Sequence, residues 1–125
     1  EKAQAIDPEG DYRVALLPNY SPISKFDVVH SMEFLYYLKE PEKLLMNIHD
    51  YWLKSDGWLI VGIDHYSENE DSLSWPEKVG VYMNTKCEKE WIDIWKSCGY
   101  NSIISWRANV TDDSTGTLVI AGKKD

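Results

Sequence analysis

Residues Trp58–Ile63 read WLIVGI, six residues that are almost wholly apolar and rich in branched side chains, set between Gly57 and Asp64. A run of that length and character suits a strand covered on both faces, the kind found inside a parallel sheet rather than at a solvated surface. Its flanks bear this out. Pro41 is acceptable as a first helical residue, because a missing N–H costs nothing there. Behind it Leu44, Leu45, Ile48, Trp52 and Leu53 fall on one face at helical spacing. Gly57 just beyond is read as the stop of that helix. Upstream, Phe26–Ser31 (FDVVHS) is a second strand, and its Val28-Val29 pair again reads as buried on both faces. Strand, helix and strand in that order imply a right-handed crossover and a parallel pair.

The rest of the chain fills out an α/β layer. Tyr12–Leu17 (YRVALL) is a short strand closed by Pro18 and Asn19, and Glu1–Gly10 reads as the tail of a helix ending in a turn. Asp64–Asn84 is long and irregular, and three aromatics (Tyr66, Trp75, Tyr82) argue that it is ordered. Thr85 with Glu88 has the spacing of a capping box. Trp91, Ile94, Trp95 and Cys98 then follow the spacing of a core-facing helix that Gly99 ends. Ser102–Arg107 and Thr115–Ala121 flank a polar turn and read as an antiparallel hairpin. With 125 residues, 43% of them hydrophobic, the chain suits one compact unit spanning 1–125.

Charge and thiols narrow the partners. A formal net charge of -8 without a basic stripe disfavours nucleic acid and anionic lipid. Cys87 and Cys98 sit about 16 Å apart along one helix, too far for a disulfide. They read as reduced thiols, which favours a cytoplasmic setting. No apolar run is long enough to span a bilayer, and no signal-peptide pattern opens the chain. Glu1 in place of methionine suggests a processed product, an excised piece or a missing beginning. Three scattered histidines give no metal-ligand spacing. Asp112-Asp113 reads as turn chemistry, His49 as exposed, and Asn109-Val110-Thr111 as a glycosylation match without a secretory context.

Three linked places resemble class I S-adenosylmethionine-dependent methyltransferases, and within them the type 11 (UbiE-like) group. The first is Phe26–Leu38 (FDVVHSMEFLYYL), the second is Glu40 to Leu45 with its proline, and the third is LKSDGW entering the strand at Trp58. The final helix and hairpin, Trp91 to Lys123, follow the same order. The resemblance implies a partial Rossmann-like sheet, the C-terminal portion of the domain, ending in an antiparallel hairpin. In the family the strand order is 3-2-1-4-5-7-6, so Phe26–Ser31 becomes an edge here unless upstream residues, strand 3 or a second copy cover it. The implied cofactor is S-adenosylmethionine. The family's glycine-rich loop and its ribose-binding acid have no counterpart: no GxG occurs among the seven glycines. The family's later acid falls at Pro18 and Asn19.

Ligands gather at the carboxyl ends of strands in such sheets. The resemblance therefore implies the strand end His30, Ser31, Met32 and Glu33, together with Tyr36, on the cofactor's methionine side. Asp64, Tyr66 and Trp75 are the expected acceptor-side residues, with Trp75 and Tyr82 able to form an aromatic lid or simply to anchor the loop. His65 is the candidate general base, because an imidazole titrates near neutrality. The bland readings are that Met32 packs, His30 bonds locally and Asp64 caps a strand end. Trp52, Trp91 and Trp95 are core. The implied function is methyl transfer to an undefined small-molecule or protein acceptor, as part of a larger chain. The alternatives are a non-catalytic methyltransferase-like interaction module, paired with the missing half or with a copy of itself, or another α/β enzyme.

Overall fold

The computed structural model describes residues 20–125, together with 5–6 and 9–10. The strand expected at Tyr12–Leu17 lies outside the described residues. Four strands form one sheet: β1 (Phe26–Met32), β2 (Leu53–Ile63), β3 (Asn101–Ala108) and β4 (Thr117–Lys123). Their spatial order is β1-β2-β4-β3, with β1 and β2 parallel and β4 antiparallel to both β2 and β3. That is the 4-5-7-6 end of the expected order.

Between β1 and β2 run a three-residue 3-10 turn at Leu35–Tyr37 and helix α1 (Pro41–Asn47), whose first residue is the proline. A single wide π turn, Ile48–Trp52, follows, and Leu53 is already extended (φ -96, ψ 136). The helical turn therefore ends at Trp52, five residues before Gly57. Gly57 instead lies inside β2, in a bulge. Pairing steps from Phe26–Leu53 to Val28–Trp58, so β2 carries three more residues than β1 over this step. The extra chain turns outward with Asp56 at φ 67 and is tied to Lys124 by backbone bonds of 2.7 and 2.9 Å. A Cβ on Gly57 would lie 2.8 Å from the Lys54 carbonyl oxygen and 3.1 Å from that of Asp27. Close backbone approach, rather than helix termination, is what requires glycine here. Gly57→Ala is expected to cost about 1–3 kcal/mol of stability in urea titrations, the range for forced overpacking.

The connection 64–87 is less irregular than its composition suggests. It holds a 3-10 turn at Glu70–Ser74 and a short helix α2 (Trp75–Val79), which Gly80 ends in the left-handed region. Helix α3 (Glu88–Ser97) is capped by Cys87, not Thr85: the Cys87 N–H donates to Glu90 Oε1 at 3.0 Å. Thr85 is engaged elsewhere. His49 is half-buried rather than exposed, with Nδ1 2.9 Å from Asp50 and its ring edge-on to Tyr100. Both cysteines are free thiols.

The register decides which residues make the core. Leu59, Val61 and Ile63 of β2, with Leu118 and Ile120 of β4, share one face and are 3% exposed or less. Against that face pack Leu44 and Leu45 of α1 and Trp91 and Trp95 of α3. The other face behaves differently at its margins. Val28 and Met32 on β1, and Ile104 and Trp106 on β3, are about half exposed (53%, 53%, 54% and 45%). The apolar pair in β1 is therefore not buried on both faces: Val29 is half-buried against the core and Val28 is exposed, because among the described residues helices cover a single side of the sheet and β1 pairs only with β2.

Candidate functional site

At the carboxyl end of β1 the backbone breaks from the strand at Glu33, which adopts φ 57 while its N–H still donates to the Gly62 carbonyl at 2.8 Å. The left-handed turn brings the Glu33 side chain back over the end of β2. The Leu35–Tyr37 turn then points the buried Tyr36 at it, and the phenol donates to Glu33 Oε2 at 2.8 Å. Glu33 Oε1 is buried and has no hydrogen-bond donor. Burial pushes the carboxyl up to about 7. The Tyr36 hydroxyl and, more weakly, the Asp64 backbone N–H work against that, and the neighbouring Asp64 carboxylate adds to it. Tyr36 is itself driven upward, first by burial and then by its bond to Glu33.

Asp64, directly after β2, is positioned by two contacts. Thr117 at the start of β4 donates its hydroxyl to Oδ1 at 2.6 Å, and Asn69 donates to the Asp64 backbone carbonyl at 2.7 Å. Asp64, Asn69, Trp75, Asn109, Ser114 and Thr117 line an open cleft of about 380 Å3 at this end of the sheet. No basic side chain lines it.

His65 points the other way, into the protein, and is fully buried. Nδ1 is 2.9 Å from the Ser72 carbonyl, which can only accept, so that nitrogen carries the hydrogen. Nε2 then accepts from the Thr85 hydroxyl at 2.7 Å. Burial lowers its pKa. Its ring lies against Tyr36 and Trp75, with centroids 5.6 and 6.2 Å away. Tyr66 is also fully buried, and its hydroxyl donates to the Gly116 carbonyl at 2.6 Å. The Arg107 guanidinium covers its ring at 4.8 Å.

Of the residues expected from sequence, Tyr36 and Asp64 each approach Glu33, and Trp75 lines the cleft with Asp64. His65 forms a buried brace behind Tyr36, and Tyr66 ties the loop to the β3–β4 hairpin. His30 is exposed and Ser31 half-buried on β1, while Met32 lies across Gly62, where an added Cβ would sit 2.5 Å from its sulfur. Asn69 and Thr117 escaped the sequence reading, which reached Glu33 only as one of the four residues at the end of the strand. The signal for Glu33 is its place directly after an apolar strand; Thr117 reaches Asp64 only through the sheet register. Among the described residues no group of side chains has the makings of a metal site, and no helix is long and apolar enough to cross a membrane.

No family model matches the sequence, and no curated protein matches it. Solved structures do. A methyltransferase-type protein of Haloferax volcanii, in complex with the Trm112 methyltransferase activator, is 24% identical with a TM-score of 0.66 over 79% of this chain and 54% of its own. An S-adenosylmethionine-dependent methyltransferase of Thermotoga maritima is 20% identical, with a TM-score of 0.62 over 80% of this chain and 56% of its own. Human N-acetylserotonin methyltransferase bound to S-adenosylmethionine is 14% identical, with a TM-score of 0.62 over 84% of this chain and 31% of its own. The chain spans about half the length of the first two. At these identities the likeness is one of fold, and it agrees with the strand order: the protein carries a partial Rossmann-like sheet of the class I S-adenosylmethionine-dependent methyltransferase fold.

Proposed function

We propose that this chain takes part in S-adenosylmethionine-dependent methyl transfer, with Glu33 and Tyr36 on the cofactor side and Asp64 and Trp75 facing the acceptor. The observation that carries this reading is the donorless Glu33 Oε1, buried beside a second carboxylate at the carboxyl ends of two parallel strands. Such a pair calls for a proton or a cation. S-adenosylmethionine, when bound, supplies an ammonium, and a methyl group made electrophilic by a sulfonium.

The chain's own residues would then divide the work. Glu33 takes up positive charge, and Tyr36 orients it. Asp64, fixed by Thr117, accepts a proton from the acceptor group, and Trp75 gives the cleft an apolar wall. His30, Ser31 and Met32 flank the cofactor side from β1. His65 and Tyr66 act by holding the loop in place. A sulfonium is a strong methyl donor, so a weak base suffices.

Calorimetric titration with S-adenosylhomocysteine tests the reading. Binding at micromolar strength is expected, weakened roughly 10- to 100-fold in Glu33→Gln, the loss that goes with a hydrogen bond to a charged group. No heat from the unaltered chain would instead favour a methyltransferase-like interaction module.

A further inference from the structure

Asn84 closes the long connection between β2 and α3, and it is stitched to a distant part of the chain. Its backbone N–H donates to the Tyr36 carbonyl at 2.6 Å. Its side-chain amide donates to the carbonyls of Leu38 at 3.1 Å and Lys39 at 3.4 Å. All three carbonyls belong to the Leu35–Tyr37 turn or the residues just after it. That turn is only three residues long and has no side-chain cap of its own, so its local hydrogen bonds hold it weakly. The next residue, Thr85, bonds His65, whose ring backs Tyr36. Two consecutive residues therefore secure Tyr36, one through its backbone and one from behind its ring.

We propose that Asn84 is a positioning residue: its amide holds the Leu35–Tyr37 turn where the Tyr36 hydroxyl reaches Glu33, so that the loop bordering the cleft and the carboxyl at the end of β1 move as one unit. Its bearing on methyl transfer rests on the functional reading above. The link from Asn84 to Glu33 stands on geometry, and it is measured without cofactor, so the two readings fail separately.

The experiment is a carbon-detected NMR titration of the Glu33 carboxyl in the unaltered chain, Asn84→Ala, Tyr36→Phe and the double variant. The Tyr36 hydroxyl is the contact that lowers the Glu33 midpoint most, so removing or displacing it raises that midpoint. Asn84→Ala and Tyr36→Phe are each expected to raise proton affinity roughly three- to tenfold, the range of one hydrogen bond. In the double variant the shift should be no larger than in Tyr36→Phe alone, because Asn84 acts through that hydroxyl. A residue that merely stabilises the fold would lower the melting temperature and leave the midpoint unmoved. An unshifted midpoint in Asn84→Ala, or full additivity in the double variant, overturns the proposal. If Asn84→Ala does not fold, Asn84→Ser is read in its place, since its side chain is too short to span both carbonyls.

Discussion

Glu33→Gln is expected to make the folded protein more stable above neutral pH and to remove a fall in stability that the unaltered chain shows on the way there. The Glu33 carboxyl titrates at about 7 in the folded protein against 4.5 for an ordinary glutamate, chiefly because it is buried. Below pH 4.5 it is protonated in both folded and unfolded chains and contributes no difference. Between 4.5 and about 7 the unfolded chain has released the proton and the folded chain still holds it, so each step upward in pH favours unfolding. Above 7 the penalty is constant. Allowing for partial exposure, it is on the order of 1 to 3 kcal/mol. Glutamine keeps an oxygen for the Tyr36 hydroxyl and offers Asp64 an N–H in place of a competing charge. Urea denaturation from about pH 4 to about pH 9 measures the effect: the two stability curves should separate as pH rises from about 4.5 to about 7 and keep a constant gap above that. Curves that stay parallel would mean that Glu33 ionises freely.

Trp95→Ala is expected to cost about 3–5 kcal/mol of stability, the range for truncating a buried tryptophan. The side chain is fully enclosed between α3 and the sheet, close enough to Gly122 that an added Cβ there would come within 2.6 Å of the indole. Domains of this size are stable by about 5–15 kcal/mol, so this one truncation removes a large share. The indole N–H has no hydrogen-bond partner, so the loss is one of packing alone, and Trp95→Phe should recover much of it. The shift in urea midpoint decides the matter. A phenylalanine variant as weak as the alanine variant would point to a polar role that the packing does not reveal.

How far the sequence could be read depends on whether a feature is local. WLIVGI identified the central strand, because its short, branched, apolar run suits one and β2 is paired along both edges; the expected cover on both faces is incomplete, since Trp58 and Ile60 stand half-buried on the side that the described helices leave open. The helical spacing of Trp91 and Trp95 placed them in the core for a similar reason. Gly57 was misjudged, since a glycine before a strand looks the same whether it ends a helix or fits a bulge. Only the carbonyls of Lys54 and Asp27 distinguish the two. Thr85 and Cys87 show the same limit: both stand near a helix start, and what removed Thr85 from the cap was His65, twenty residues away in sequence.

The sequence by itself determined the layer type, the parallel crossover from β1 to β2, the closing hairpin and the resemblance to the methyltransferase fold, because periodicity and local chain breaks carry that information. Only the tertiary structure decided the site. Glu33 and Tyr36 share the segment after β1, but Asp64, Asn84 and Thr117 come to them from elsewhere in the chain, and the distances follow from sheet register and one left-handed turn. Burial in that arrangement, rather than residue type, sets the charge of Glu33 and turns His65 inward as a brace.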